Sequence, residues 1–275
     1  MNNLGSYAED ILKMRPFGGF VFDCHTHIGP IGTMHVHNEG SAETLIEMMD
    51  LVGIDKCATS HMLAISGDAP EGNRLAFEDA KAHFGRIYQY LVYDPNPPSA
   101  VMLENIGKYL DEPTTVGIKL HPMWHGTTPA DKRYDPVMEI ASDRSMPVLI
   151  HTWGTGEVLA AENLAKRFPR AMILTGHMGG ADFGVINTAI RAAAENANLY
   201  LDLTMSIAYD GLIEHMLKFI PAEKILFGSD MAYLDPRSLA GRLAFARIPD
   251  DDKHKIFGEN FAQLASRVRR GTGNP

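Results

Sequence analysis

Short apolar runs alternate with longer amphipathic stretches along almost the whole chain. The first run, FVFDCH, is followed by SAETLIEMMDLVG, in which Ser41 can cap a helix and Gly53 can end it. The later strand-like runs, each with a helical stretch behind it, are IDKCATSHM, RIYQYLVYDP, VGIKLHP, PVLIHT, AMILTGH, NLYLDLT and KILFGSD. The pattern predicts about eight strand–helix units in a row.

A repeated strand–helix unit favours parallel pairing of the strands and an α/β fold. About eight units fit a (β/α)8 TIM barrel, which has roughly 250 residues. The alternative is a doubly wound open sheet, which usually carries a glycine fingerprint after its first strand, and FDCHTHIGPIG is not such a fingerprint. No change in composition marks a linker. We therefore expect a single domain over residues 1–275, in which residues 1–19 are an N-terminal extension packed on the barrel.

The composition is that of an ordinary globular protein, with 45% hydrophobic and 21% charged residues. A net charge of −9 argues against a nucleic-acid or anionic-membrane partner and favours a small-molecule ligand. Cys24 and Cys57 are too few for a disulfide framework, and the sequence has no leader-like or membrane-spanning apolar run. We expect a cytoplasmic protein, and the sequence leaves open whether it forms a homo-oligomer.

Polar residues that can bind a metal or move a proton stand at the ends of the predicted strands, where barrel enzymes carry their catalytic groups. His25 and His27 end the first strand, and strand geometry places them on the same face about 7 Å apart. The later strand ends carry Lys119, His121, His151, His177, Asp202 and Asp230. Histidines scattered by chance would not follow this rule, so the pattern predicts one site at one mouth of the barrel.

These residue types suit a divalent ion. Neutral imidazole nitrogen and carboxylate oxygen are good ligands for a borderline ion such as zinc. A catalytic zinc keeps one coordination position open for water and lowers the pKa of that water toward ~7. A neighbouring histidine or carboxylate can then move the proton. The sequence therefore indicates metal-assisted chemistry on a small molecule.

A set of motifs at these strand ends resembles the amidohydrolase superfamily: HTH on strand one, GIKLHP on four, HTW on five, GHMGG on six and FGSD on eight. Within it, the chain is most similar to amidohydrolase family 2, the metal-dependent hydrolases and decarboxylases related to aminocarboxymuconate-semialdehyde decarboxylase. The similarity covers nearly the whole chain, from Val21 to the closing helix KIFGENFAQLA. Each motif alone is ordinary, whereas the set is specific.

The resemblance implies a role for most of the strand-end residues. The metal ligands would be His25, His27, His151 and Asp230. Asp230 would also face the metal-bound water, and His177 would polarise the substrate or shuttle a proton. Both residues would therefore be catalytic.

Lys119 bears on the number of ions. In two-metal members of the superfamily the lysine on strand four is carboxylated and bridges both ions, and the strand-six histidine, here His177, binds the second. In one-metal members this lysine is not a ligand. Because family 2 is mostly of the one-metal kind, we expect one Zn²⁺, with Mn²⁺, Fe²⁺ or Co²⁺ as alternatives. Lys119 would then bind substrate, together with His121 on the same strand face.

The activity that the resemblance implies is hydrolysis, in which metal-activated water attacks a small-molecule amide, lactone or ester. One alternative is a non-oxidative decarboxylase of a small carboxylic acid that uses the same ligands. Another is a barrel that binds a ligand without catalysis. Release of carbon dioxide would separate the first two.

The roles of several other residues stay open. Asp202 either contacts substrate or supports a residue at the rim, and Trp124 either walls the pocket or packs in the fold. Arg74 and Arg237 are candidates to pair a substrate carboxylate, and the alternative for both is an ordinary surface position.

Overall fold

A computed structural model describes residues 5–32, 35–204 and 209–271 of the chain. It contains one parallel eight-stranded sheet in which every strand lies beside its neighbour in sequence. The strands are β1 (Phe22–Ile28), β2 (Lys56–His61), β3 (Ile87–Val92), β4 (Thr115–Leu120), β5 (Pro147–Trp153), β6 (Met172–Gly179), β7 (Leu199–Asp202) and β8 (Ile225–Leu226).

The sheet curls until its last strand meets its first. The Cys24 amide donates to the Phe227 carbonyl at 2.9 Å, and the Asp230 amide donates to the His25 carbonyl at 2.9 Å. The regular part of β8 is shorter than the run KILFGSD predicts, because these contacts to β1 are single bonds rather than a continuous ladder. The arrangement confirms the predicted (β/α)8 barrel.

Helices follow the strands as the hydrophobic pattern predicts. Ser41 caps the second helix by accepting the Thr44 amide at 3.3 Å, and Gly53 ends it with a φ of 89°. The helices are α1 (Ser6–Leu12), α2 (Ala42–Val52), α3 (Met62–Ser66), α4 (Ala69–Ala82), α5 (Ser99–Gly107), α6 (Asp135–Asp143), α7 (Thr155–Arg167), α8 (Phe183–Glu195), α9 (Leu212–Met216), α10 (Pro236–Ala244), α11 (Asp250–His254) and α12 (Asn260–Ser266). The pattern predicted neither α1 nor α3.

The end of the chain covers the amino ends of the strands. A π-helical turn, Lys255–Glu259, joins α11 to α12. In α12, Phe261 packs edge-on against Phe22 at 4.7 Å, and the Asn260 side chain donates to the Ile225 carbonyl at 2.9 Å. In α1, Tyr7 stacks on Phe257 at 4.2 Å. This mouth of the barrel is therefore closed by packing, and the carboxyl ends of the strands form the other mouth.

A helix that crosses a membrane must be both long and apolar. Among residues 5–32, 35–204 and 209–271, no helix has both the length and the apolar character needed to cross a bilayer.

Candidate metal centre

The residues that the sequence singled out lie together at the carboxyl ends of the strands. Lys119 Nζ lies 2.9 Å from His25 Nε2, and the rings of His121 and His151 stack with centroids 4.1 Å apart. The buried side chains of this group are His25, His27, Lys119, His121, His151 and His177. They come from strands far apart in sequence, and the closure of the barrel brings them to one place.

His25 is held in one tautomer by a carboxylate. Its Nδ1 lies 2.6 Å from Asp202 Oδ2, and because an ionised carboxylate can only accept, Nδ1 carries the proton. Its Nε2 lone pair therefore points into the cluster, toward Lys119 and toward Asp230 Oδ1 at 3.6 Å. The register of β1 against β2 shifts between Asp23 and Thr26, the kind of irregularity that often re-aims a side chain beside an active site.

His27 is oriented in the same way. Its Nδ1 lies 3.1 Å from the Ser60 hydroxyl and 3.4 Å from the Ser60 carbonyl, which can only accept. Nδ1 therefore carries the proton, and the Nε2 lone pair faces Asp230 Oδ1 at 3.2 Å. Two acceptor atoms at this distance are stable only with a proton or a cation between them.

His177 and His151 form a short relay. His177 Nδ1 donates to the Thr204 carbonyl at 3.2 Å, so its Nε2 accepts from His151 Nδ1 at 3.1 Å. The proton of His151 is thereby placed on Nδ1. Its Nε2 is buried and has no hydrogen-bond partner in the described part of the chain. Such an orphaned lone pair is costly unless something else binds it.

The charge states suit a cation. Burial lowers the pKa of His25 to about 3 and that of His151 to about 2, and it also lowers the pKa of His27. Burial likewise lowers the pKa of Lys119 to about 8. For Asp230, burial opposes ionisation, but contact with His27 and the imidazoles nearby hold its pKa well below the usual range. Neutral imidazoles around an ionised carboxylate are the state in which these groups bind a metal.

A divalent ion therefore fits this cluster. Among the described residues, one compact group of potential ligand atoms comes from His25, His177 and Asp230, which lie within 4.8 Å of one another. This group contains His177, for which the family resemblance implied a proton-transfer role, and it does not contain His27 or His151, which the resemblance implied as ligands. Those two side chains border it, through Asp230 and His177 respectively.

Two of the site residues have unusual backbone conformations. The φ angles of His177 and Asp230 are 62° and 63°, in the left-handed region that non-glycine residues rarely adopt. Strain of this kind concentrates at functional sites, where the surrounding structure holds it. The two residues predicted to be catalytic are thus both in strained positions.

A cavity of about 350 Å³ opens above the cluster. Its polar lining comes from His27, His121, His151, His177 and Asp230, and its apolar lining from Ile31, Met62, Trp124, Trp153, Tyr233 and Leu234. None of these lining residues is a lysine or an arginine, and Lys119 lies beneath the cavity, fully buried. The indoles of Trp124 and Trp153 are 40% and 51% exposed, so they stand at the mouth.

The structure also places the residues whose roles the sequence left open. Asp202 contacts His25, and Trp124 lines the cavity. Arg74 pairs with Glu71 and Glu78, and Arg237 pairs with Asp235; neither lines the cavity.

Sequence reasoning missed Trp153, Tyr233 and Ser60. Trp153 follows His151 by two positions, so strand alternation would have placed it on the same face. Tyr233 lies in the segment after β8 and donates to the Gly29 carbonyl at 2.8 Å, and nothing in the sequence indicated that contact.

Known proteins share this fold. The sequence matches the Amidohydrolase family over residues 22–264. No curated protein sequence matches it. The structure is similar to 2,6-dihydroxybenzoate decarboxylase from Rhizobium, with 14% identity, a TM-score of 0.72 and coverage of 90% of this chain and 99% of that one.

Two further solved structures have the same fold. One is 5-carboxyvanillate decarboxylase from Novosphingobium aromaticivorans in complex with manganese and 4-hydroxy-3-methoxy-5-nitrobenzoic acid, with 13% identity, a TM-score of 0.70 and coverage of 90% and 96%. The other is 4-oxalomesaconate hydratase from Rhodopseudomonas palustris, with 16% identity, a TM-score of 0.66 and coverage of 90% and 96%. At these identities the likeness shows the fold alone.

Proposed function

The chain belongs to the amidohydrolase family of metal-dependent enzymes, and we propose that it catalyses the non-oxidative decarboxylation of a small, planar monocarboxylic acid. One observation carries the proposal: a cluster suited to a metal forms the floor of a small cavity whose walls are largely aromatic and apolar. Similar structures include decarboxylases that act on substituted benzoates, which supports this reaction.

The ion would be held by His25, His27, His151 and Asp230. Lys119 Nζ would then give up its 2.9 Å contact with His25 Nε2. The choice of His151 over His177 follows from their hydrogen bonds, because His151 Nε2 is buried without a partner whereas His177 Nε2 already accepts from His151. We expect one ion per chain, zinc or manganese. When bound, it would supply a Lewis acid that binds a substrate oxygen and lowers the pKa of a bound water.

The cavity selects the substrate by shape and charge. Indole faces at the mouth can stack on a flat ring, a contact worth about 0.5–1.5 kcal/mol. With no cationic side chain among the described lining residues, the walls offer no partner for a second or third carboxylate. The single carboxylate would lie toward the floor, above the buried Lys119. A polycarboxylic acid would leave anionic groups unpaired, which is costly in a buried site.

His177 would supply the proton. In decarboxylation the bond between the substrate carbon and its carboxyl group breaks, carbon dioxide leaves, and the electron pair left on the carbon takes up a proton. His177 lines the cavity, and the Thr204 carbonyl fixes its Nδ1, so Nε2 would take up and release that proton after giving up the hydrogen bond that it accepts from His151 Nδ1. His121 would line the substrate site beside it.

Hydrolysis of an amide, lactone or ester is the second candidate. The ionised Asp230 at the cavity floor favours it, because a carboxylate in that position can accept a proton from an attacking water.

Product analysis in deuterium oxide separates the two. Metal-loaded protein is incubated with a panel of hydroxylated and methoxylated benzoic acids, and in parallel with aryl esters and lactones. Decarboxylation predicts carbon dioxide in equal amount to a product that carries deuterium at the ring carbon that had borne the carboxyl group. Hydrolysis of the esters or lactones with no carbon dioxide from any acid would overturn the proposal. His83→Asn, outside the site, is the control and should retain activity.

A further inference from the structure

Strand β7 contributes no side chain to the cavity lining among the described residues, yet its end contacts two of the site histidines. Asp202 Oδ2 accepts from His25 Nδ1 at 2.6 Å, and the Thr204 carbonyl accepts from His177 Nδ1 at 3.2 Å. Both contacts are made to Nδ1, the nitrogen turned away from the centre of the cluster. This segment thus determines which nitrogen of each ring carries the proton and which carries the lone pair.

We propose that residues 202–204, called here the β7 support, form one positioning element that keeps His25 and His177 in the tautomer with a proton on Nδ1 and a lone pair on Nε2. The proposal rests on the proposed function only in taking Nε2 of His25 as a metal ligand. Asp202 is a positioning residue: it acts through His25 and does not line the cavity.

The β7 support is tied together internally. The Thr204 amide and hydroxyl both donate to Asp202 Oδ1, at 2.9 and 2.6 Å. One carboxylate oxygen therefore holds Thr204 while the other holds His25. Asp202 and Thr204 are both fully buried, so water does not replace these bonds. Hydrogen bonds to a charged acceptor in such surroundings are stronger than those between neutral groups.

The segment that follows β8 leaves room for this arrangement at a glycine, Gly228. A Cβ on Gly228 would lie 2.2 Å from Asp202 Oδ1, 2.3 Å from Thr204 Oγ1 and 2.9 Å from His25 Cβ. Any larger residue would have to displace the carboxylate and the hydroxyl together. From the outer side, Arg242 Nη2 donates to the Leu203 carbonyl at 3.0 Å, between the two supporting residues.

The consequence for metal binding follows from hydrogen-bond chemistry. An asparagine at position 202 has one accepting oxygen and one donating amide. If its oxygen receives the two Thr204 donors, its amide group faces His25 Nδ1, and the ring then favours a lone pair on Nδ1 and a proton on Nε2. In that tautomer Nε2 cannot bind a metal. Loss of a carboxylate that supports a metal-binding histidine typically lowers metal affinity about 10–100-fold.

The test compares Asp202→Asn with Asp10→Asn. Asp10 is a matched control, since it is a buried carboxylate that accepts from Arg15 and the Gly18 amide outside the site. Two readouts are used: the affinity for manganese or zinc in a metal-buffered titration, and long-range ¹H–¹⁵N spectra of the histidine rings in metal-free protein. We expect Asp202→Asn to weaken metal binding about 10–100-fold and to move the His25 proton to Nε2, and Asp10→Asn to change neither.

A second variant keeps the test decisive if Asp202→Asn does not fold. Gly228→Ala retains every polar group but displaces the β7 support, so it should shift the ring signals of both His25 and His177. Gly107→Ala, where an added Cβ meets no atom within 4 Å, should shift neither.

The outcomes separate the two proposals. If the wild type binds no metal but its rings show the predicted tautomers, the proposed function fails and the β7 support stands. If the wild type binds metal, and Asp202→Asn binds it equally well with an unchanged His25 tautomer, the β7 support is refuted.

Discussion

The two mouths of the barrel are built from the same strands with opposite chemistry. At the amino ends, Phe22 and Phe261 pack ring against ring, and the Asn260 side chain satisfies a strand carbonyl. At the carboxyl ends, His27 and Asp230 turn acceptor atoms toward each other. The first mouth is a packed core that stabilises the fold. The second contains buried polar groups whose pairing is incomplete without a cation, which costs stability. Function and stability are therefore separated along the barrel axis, and mutations at the two mouths should have different effects.

The largest expected effect comes from Asp230→Asn at the polar mouth. The variant removes the one carboxylate among the described lining residues of the cavity, so turnover should fall about 10³-fold or more, with metal content reduced and the melting temperature of the metal-free protein unchanged or raised. Steady-state rates, elemental analysis and calorimetry test this. Asp235→Asn, in the same segment and paired with Arg237, should behave as wild type. Equal loss of activity in both variants would show that the effect is not specific to the site.

At the packed mouth, Phe261→Ala should have the reverse effect. It removes a fully buried ring, which should lower the free energy of unfolding by about 3–5 kcal/mol. Metal affinity at low temperature should stay within about 2-fold of wild type, because the aromatic neighbours of this ring in the described part of the chain, Phe22 and Tyr90, lie outside the site. Denaturant unfolding and a metal titration at 10 °C check the two halves of this prediction. A large loss of metal affinity in the folded variant would show that metal binding also depends on the packed mouth.

Acid should destabilise the metal-free protein through the polar mouth. Burial lowers the pKa of His25 to about 3 and of His151 to about 2, whereas an unfolded histidine titrates near ~6.5. Between these values the unfolded state binds more protons, so stability should fall as the pH drops below about 6.5, by up to ~1.4 kcal/mol per pH unit for each histidine. In His151→Asn the slope between pH 6.5 and 4.5 should be shallower, and in His83→Asn it should match wild type. Equal slopes of stability against pH in wild type and both variants would show that the acid sensitivity comes from groups other than His151.

The smallest effect is expected at the mouth of the cavity. Trp153→Ala removes a half-exposed indole that can stack on the substrate, so KM for a planar acid should rise about 5-fold with kcat little changed. Phe219→Ala, an exposed aromatic residue outside the cavity, is the control. A fall in kcat without a change in KM would show that Trp153 acts on the reaction rather than on substrate binding.

Sequence reasoning gave the barrel and the location of the site because both depend on local rules. The alternation of strands and helices predicts parallel pairing, and a polar residue directly after an apolar strand identifies the rim. Those rules were sufficient to bring His25, His151 and Asp230 together. They did not give the short helix α3, since Met62 and the apolar residues behind it look like the end of a strand.

What the sequence could not give depends on contacts between distant segments. Asp202 contacts His25 because barrel closure and the register of β1 bring strands β7 and β1 close inside the barrel, and no sequence spacing encodes that distance. The family resemblance already implied His151 rather than His177 as a ligand, but the hydrogen bonds that support this choice require atomic positions.

Metal content of matched variants shows whether residues from distant strands hold one divalent ion at this mouth. Elemental analysis would be made on wild type, His151→Asn and His177→Asn, each purified without added metal. We expect about one ion per chain in wild type and in His177→Asn, and a strong loss in His151→Asn. Two ions per wild-type chain, no ion at all, or loss of the ion in His177→Asn with retention in His151→Asn would contradict this expectation.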